Sequence, residues 1–146
     1  RNGVCFIEVT EKDEILKEGQ TYFDKKVVTS VIGVREQQYY LCALESETAR
    51  IGIIHREKKK KEVFENIKSI PYNIYPVKGL YSFFIVQSKE KLYAFDAKQK
   101  KFKAIAQIQN NNEYPNLIAQ FNERSNTMKI FTFEQDEEKK LATIVK

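Results

Sequence analysis

The densest concentration of reactive side chains in this sequence is the run His55-Arg56-Glu57-Lys58-Lys59-Lys60-Lys61-Glu62. A cluster of cations of this kind can attract phosphate groups or an acidic protein surface. The same composition is typical of a solvated hairpin tip, because charged side chains are costly to bury. We single out five candidate contact residues and keep the solvated tip as the alternative interpretation: Arg56, Lys58, Lys59, Lys60 and Lys61.

Catalytic chemistry finds little support in the residue types. His55 is the single histidine, and the serines lack the flanking glycines of a nucleophile elbow. The five glycines form neither G-x-G-x-x-G nor a P-loop, and no residues have metal-ligand spacing. We therefore predict that the protein is not an enzyme and that it uses no metal and no cofactor.

The two cysteines, Cys5 and Cys42, both lie inside apolar runs. This position predicts buried free thiols rather than a disulfide. Free thiols favour a reducing compartment, so we expect an intracellular location, cytoplasmic or nuclear. No run approaches the roughly 20 apolar residues that a membrane-spanning helix requires.

The elements that must position any site are short strands, which are clearest in residues 81–108. The run Phe83–Ser88 is apolar at both parities, which predicts a strand buried on both faces. Polar residues 89–91 predict a turn, and Leu92–Phe95 predicts a second strand. The run Phe102–Ile108 alternates, with Ala104 and Ala106 on the face of Phe102, which predicts a strand near a sheet edge.

This pattern recurs along the chain. A shift of 41 residues places Tyr40, Cys42 and Leu44 on Tyr81, Phe83 and Ile85 without a gap, and a shift of 36 places Leu117, Ala119 and Phe121 on the same three positions. Repeats of about 40 residues with several strands each are typical of β-propellers. We predict an incomplete unit at 1–26 and units at 27–67, 68–108 and 109–146.

The first unit is predicted to lack its inner strands. Residues 4–10 match a third strand and residues 21–23 a fourth, while the charged segment 11–20 between them predicts a long exposed turn. The total is about three and a half units, fewer than the roughly four to eight blades of a closed ring. We expect the chain to be a fragment of a larger propeller or to be completed by another chain.

The units resemble degenerate WD-type repeats. A Trp-Asp pair ends the third strand of such repeats, and the matching positions here hold Ile54-His55, Phe95-Asp96 and Phe131-Thr132. Only Phe95-Asp96 keeps the bulky-then-acidic character, there is no Trp, and no Gly-His pair precedes the units. Non-WD propellers therefore fit as well. The resemblance implies an all-β fold of antiparallel four-stranded blades and a non-catalytic role.

Segments that carry Pro and Tyr open the last two units. Tyr72, Tyr75 and Pro76 precede the strand run of the central unit, and Tyr114 and Pro115 precede that of the last. These segments predict loops that enter blades, where Tyr72, Tyr75 and Tyr114 are candidate contact residues. Packing of a tyrosine on the neighbouring blade is the alternative interpretation.

Two functions follow from these features. The first is a protein–protein interaction scaffold, whose partners are other subunits of an assembly or the remainder of a longer propeller chain. The second is nucleic-acid binding through Lys58–Lys61 together with four lysines of the next unit: Lys98, Lys100, Lys101 and Lys103. A rival architecture, one antiparallel barrel or sandwich, would instead suggest a module that binds a small ligand or lipid.

Overall fold

The computed structural model describes residues 7–9, 15–18, 27–35, 38–45, 50–55, 61–64, 71–107, 117–134 and 137–145. All regular secondary structure in these ranges is β-strand, which confirms the predicted all-β class. The strands are β1 (Ile7–Val9), β2 (Ile15–Glu18), β3 (Val27–Arg35), β4 (Gln38–Glu45), β5 (Arg50–His55), β6 (Lys61–Phe64), β7 (Pro71–Lys78), β8 (Phe83–Ser88), β9 (Lys91–Asp96), β10 (Lys101–Gln107), β11 (Ile118–Asn122), β12 (Thr127–Glu134) and β13 (Glu137–Val145).

The described strands form three sheets. Strands β1 and β2 make an antiparallel pair, and β3 to β6 make a four-stranded antiparallel sheet in chain order. The third sheet is curled and has the order β10-β9-β8-β7-β11-β12-β13. Its two antiparallel parts join where β7 and β11 run parallel, with Val77 opposite Ala119 and Lys78 opposite Gln120.

Strand β8 is buried on both faces, as predicted from its apolar run. Phe84, Ile85 and Val86 are fully buried. Side chains of even number, such as Phe84 and Val86, pack with Cys42, Leu44 and other residues of β4 in a first hydrophobic cluster. Ile85 faces the other way and packs with residues of β11 and β12 in a second cluster. The central strands β7 to β10 thus lie between β3–β6 on one side and β11–β13 on the other.

A glycine allows close contact between β3 and the turn that links β7 to β8. A side chain at Gly33 would collide with the backbone of Tyr81, because its Cβ would lie 2.7 Å from the Tyr81 carbonyl carbon and closer still to the oxygen. Real Cβ atoms do not make such contacts with backbone. Tyr81 is itself buried, with its ring 5.8 Å from that of Tyr40. This contact brings β3 against the turn between β7 and β8.

The repeat of 41 residues holds for β5 and β9 but not for β4 and β8. Cys42 pairs with Ile53, whereas Ala94, 41 residues after Ile53, pairs with Ile85, 43 residues after Cys42. The difference arises because four residues connect β4 to β5 and only two, Lys89 and Glu90, connect β8 to β9. An offset of two keeps every side chain on its face, so hydrophobic alternation could not detect it.

The shift of 36 residues placed β11 on the wrong strand of the unit. It matched Leu117, Ala119 and Phe121 to β8, but β11 lies parallel to β7 and therefore takes the position of a first strand. Strands β12 and β13 then follow as second and third. Alternation is the same in any half-buried strand, so the pattern did not specify which strand of the unit it marked.

Two predicted loops contain strands. Tyr72, Tyr75 and Pro76 lie in β7, not in a loop that enters the unit. The prolines of β7 are tolerated because, among the residues that the structure describes, one edge of this strand is paired only at Val77 and Lys78. The predicted exposed turn at 11–20 contains β2, which pairs with β1. The strand predicted at 21–23 lies outside the described residues.

Strand β10 is at the edge of its sheet, as predicted, but its faces differ from the prediction. The pairing with β9 is irregular between Ala104 and Ala106. Phe102 packs on the first cluster, whereas Ile105 and Ala106 both pack on the second. The prediction that Ala106 shares a face with Phe102 is therefore wrong, because a bulge reverses the alternation.

Candidate binding groove

Strand β7 is the element on which the candidate site is built. It pairs with β8 along one edge, and β11 and β3 both lie against its other side. Strands β3, β7 and β11 each begin one of the antiparallel meanders β3–β6, β7–β10 and β11–β13. Together they enclose an open cavity of about 640 Å³. We call this cavity the aliphatic groove.

Exposed aliphatic side chains give the groove its character. Ile32 and Val34 of β3 are 42% and 58% exposed, and Ile118 of β11 is 37% exposed. Val31 packs on the first cluster, so alternation along β3 turns Ile32 and Val34 to the opposite face. On that face the described residues leave them partly open to water, which is costly for aliphatic side chains.

Buried residues of β7 and β11 support the groove from below. Val77, Leu117 and Ala119 line it and belong to the second hydrophobic cluster. Gly79, with φ of 88°, turns the chain at the end of β7, in the left-handed region that favours glycine. The Leu80 amide donates to the Val77 carbonyl (3.2 Å) and the Phe83 amide to the Leu80 carbonyl (3.3 Å), which holds this turn in place.

A second cavity, of about 870 Å³, adjoins the groove and is lined by polar side chains. Four residues that pair across neighbouring strands line it in a row: Lys78 of β7, Gln120 of β11, Lys129 of β12 and Thr143 of β13. Arg124, in the turn after β11, adds a third cation. We call this cavity the basic shelf. Glu123, which lines both cavities, is its carboxylate.

The cations of the shelf differ in their surroundings. Lys129 forms an ion pair with Glu138, and its ammonium lies 5.0 Å from the centre of the Phe131 ring. Lys78 and Arg124 are exposed, and within the described part of the chain neither side chain is paired with a carboxylate. The shelf therefore carries positive charge that is available to a ligand.

A capped turn fixes Arg124 and Glu123 at the rim. The side-chain oxygen of Asn122 accepts hydrogen bonds from the backbone amides of Arg124 (3.0 Å) and Ser125 (3.4 Å). Asn126 closes the turn at φ of 52°, a conformation that asparagine tolerates better than most residues. The turn that follows Asp96 has the same design, with amides of Lys98 and Gln99 on its carboxylate and Lys100 at φ of 59°.

Most of the site residues predicted from the sequence lie outside this description. Arg56, Lys58, Lys59, Lys60 and Tyr114 are not among the described residues, and their role stays a prediction. Lys61 lies in β6 and Tyr72 in β7, but their side chains are not described.

The Tyr75 side chain is described and does not line the groove. It is half-buried and packs against the second hydrophobic cluster. Its hydroxyl accepts a hydrogen bond from the side-chain amide of Asn73 (2.8 Å) and donates one to the Gln87 side-chain oxygen (3.2 Å). Gln87 is fully buried, so this contact satisfies a polar group that would otherwise be costly there.

The lysines of the alternative nucleic-acid surface lie on the turn and edge of β10. Lys101 and Lys103 are exposed, and the Lys98 ammonium lies 5.1 Å from the centre of the Tyr81 ring. None of them lines the groove or the shelf. The residues that do line these cavities escaped sequence reasoning. The sequence feature that could have indicated the groove is the run Val31-Ile32-Gly33-Val34, in which every residue is apolar. In the structure Ile32 and Val34 of this run are exposed.

Other kinds of site are not found in the described ranges. No three histidine, cysteine, aspartate or glutamate side chains there come together as a metal site. Cys42 is buried and free, as predicted for it, and burial raises the pKa of its thiol far above the ordinary value; Cys5 lies outside the described residues. Nor does the described part of the chain contain a helix of the length and apolarity needed to cross a membrane.

No protein-family model and no curated protein matches this sequence. Among solved structures, the chain is similar to the N-terminal domain of Nup159, a β-propeller, with a TM-score of 0.47 and 11% sequence identity. The similarity covers 91% of this chain and 34% of the Nup159 chain, so this chain spans about a third of the length of that structure.

Proposed function

We propose that this chain is a non-catalytic protein–protein interaction scaffold, a segment of a β-propeller that acts within a larger multi-subunit assembly. One observation carries the proposal. Three successive antiparallel meanders, β3–β6, β7–β10 and β11–β13, pack next to one another, and their first strands β3, β7 and β11 enclose a groove whose aliphatic walls are exposed.

The propeller part of the proposal rests on the topology. Blades of a propeller are antiparallel meanders arranged around an axis, so that their first strands lie next to one another. Strands β3, β7 and β11 have this arrangement, and the two hydrophobic clusters fill the spaces between successive sheets. Three and a half blades, WD-type or of another class, would leave the ring open, and other subunits or further sequence would complete it.

The scaffold part of the proposal rests on surface chemistry. Connected apolar surface on a protein often marks an interaction site. Of the described residues that line the groove, Glu123 is the one carboxylate and none is a histidine, cysteine or serine, which gives weaker grounds for catalysis than for binding. Rigid sheets that are buried on both faces suit this task, since the residues around them can vary without disturbing the core. The buried free thiol of Cys42 suits a reducing compartment, so we place the assembly in the cytoplasm or nucleus.

Photo-crosslinking from the groove tests this function. We would introduce benzoylphenylalanine at Val34 in the groove and, as a control, at Lys103 on β10, and irradiate the protein in the cells that produce it. We expect specific protein adducts from Val34 and few from Lys103. Equal protein adducts from both positions, or adducts to nucleic acid from Lys103, would contradict the scaffold and favour the alternative.

A second measurement tests the open ring. Light scattering of this chain alone should show association, because open blade faces and strand edges are exposed to water. The same chain with further propeller sequence, or with a captured subunit, should be monodisperse and should unfold cooperatively. A stable monomer of the 146-residue chain would instead support a self-contained barrel or sandwich.

A further inference from the structure

We infer that the aliphatic groove and the basic shelf form one binding surface for an extended protein segment in which apolar residues are followed by acidic residues. The inference rests on the proposed scaffold function and specifies the chemistry of a partner.

The two cavities are continuous. Lys78, Gly79, Phe121 and Glu123 line both of them, so the surface runs from β3 across the end of β7 to β12 without a barrier. Between β7 and β12 it crosses two strand spacings, about 10 Å at roughly 4.8 Å per strand, and it reaches β3 across the space between two sheets. An extended segment rises about 3.3 Å per residue, so about three residues would cross the shelf and further residues would reach β3.

The chemistry changes along this surface. At one end Ile32, Val34 and Ile118 offer aliphatic contacts, beside the exposed cation Arg35. At the other end the cations Lys78, Arg124 and Lys129 lie with the side chains of Gln120 and Thr143. Glu138 pairs with Lys129 and Glu123 offsets one further cation, so Lys78 and Arg124 leave the shelf with a net charge of about +1 for a ligand. A segment that is apolar at one end and acidic at the other matches both ends.

The backbone favours an extended ligand over a helical one. Strand β3 is the first strand of its sheet, and among the described strands its hydrogen-bonded neighbour is β4. Its other edge, at Ile32–Arg35, borders the groove. The apolar end of an extended segment would gain main-chain hydrogen bonds along this edge, where alternate side chains would meet the groove wall. Its acidic end would leave the edge and cross β7 towards the shelf.

Peptide selection tests this inference on the intact chain. We would select a phage-displayed library of random dodecamers on the immobilised protein and measure the affinity of the enriched peptides by fluorescence anisotropy. We expect enrichment of peptides in which aliphatic or aromatic residues adjoin two or more Asp or Glu. Their binding should weaken severalfold between 0.05 and 0.5 M salt, since exposed charge pairs are screened.

Matched variants assign the two halves of the surface. Val34→Glu should weaken the selected peptides about tenfold or more, and so should the double variant Lys78→Glu/Arg124→Glu. The double variant Lys101→Glu/Lys103→Glu, which makes the same change in net charge on β10, should leave binding within about twofold. All of these positions are exposed, and circular dichroism would confirm that each variant folds.

The outcomes separate this inference from the function it rests on. Enriched peptides without acidic residues, whose binding depends on Val34 but not on Lys78 or Arg124, would overturn the apolar-acidic partner and leave the scaffold intact. Protein crosslinks from Val34 without any enriched peptide would do the same. Peptides that bind the Lys78→Glu/Arg124→Glu variant and the parent equally, with no crosslinks from Val34, would overturn both.

Discussion

Strands β8 and β12 are each the second strand of an antiparallel meander, yet their surroundings differ. In β8 every side chain from Phe84 to Ser88 is buried, because sheets cover both faces. In β12, Met128 and the consecutive residues from Ile130 to Thr132 are buried, whereas Lys129 and Phe133 are exposed. The contrast shows that the number of covered faces, not the meander itself, determines the composition of a strand. The partly exposed face of β12 is continuous with the basic shelf.

The largest expected effect tests this contrast directly with the same substitution in both strands. Phe84→Ala in β8 removes a fully buried ring and should lower the free energy of unfolding by about 4 kcal/mol. Phe133→Ala in β12 removes a ring that is 40% exposed and should cost about 1 kcal/mol. Urea unfolding measures both values. Equal losses would show that the outer face of β12 is covered as fully as that of β8.

The next prediction concerns how the sheet of β3–β6 packs on strands β7–β10. Gly33→Ala places a methyl group against the Tyr81 backbone, so β3 or the turn at 79–82 must move. We expect a loss of about 3 kcal/mol, at the upper end of the range for overpacking. Ser30→Ala, on the same strand at an exposed position, should change stability by less than about 0.5 kcal/mol. If Gly33→Ala is as mild as Ser30→Ala, β3 does not lie against this turn.

A smaller effect is expected from the polar group buried in the central sheet. Tyr75→Phe keeps the ring but removes the hydroxyl that bonds Asn73 and Gln87. Because Gln87 is fully buried, we expect a loss of about 1.5 kcal/mol in unfolding free energy. The same variant tests the predicted contact role of Tyr75. Unchanged stability with weakened partner binding would favour a contact residue, whereas lost stability with unchanged binding would favour a structural one.

Cys42 belongs to the first hydrophobic cluster and makes the stability of the protein depend on pH. Burial raises the pKa of its thiol, while in the unfolded chain the thiol ionises near pH 8.5. Because the folded pKa is the higher one, the contribution is complete below about pH 8.5 and is lost as the pH rises above it. Relative to Cys42→Ala, the wild-type unfolding free energy should fall by about 1.4 kcal/mol between pH 7 and 9.5. Parallel pH profiles of the two proteins would contradict burial of Cys42.

Sequence patterns predicted local features well, because burial alternates with a fixed period of two. The two-faced burial of Phe84 and Ile85 and the buried free Cys42 followed from apolar runs without alternation, and the edge position of β10 followed from alternation. The groove did not follow, because it depends on β3, β7 and β11 meeting over a separation of more than 80 residues. Ile32, Val34 and Ile118 are ordinary strand residues until their neighbours are known.

The smallest expected effect comes from a comparison of two turns, residues 97–100 between β9 and β10 and residues 123–126 between β11 and β12. Lys100 and Asn126 close equivalent four-residue turns with positive φ, 59° and 52°. Lysine has a Cβ clash in this conformation and lacks the local hydrogen bonding that favours asparagine there. Lys100→Gly should therefore raise the unfolding free energy by up to about 1 kcal/mol, and Asn126→Gly by less. Thermal melts of the two variants provide the measurement. A larger gain at Asn126 would mean that the turn beside Arg124 is the more strained of the two, so that the rim of the basic shelf is held in place at a cost to folding.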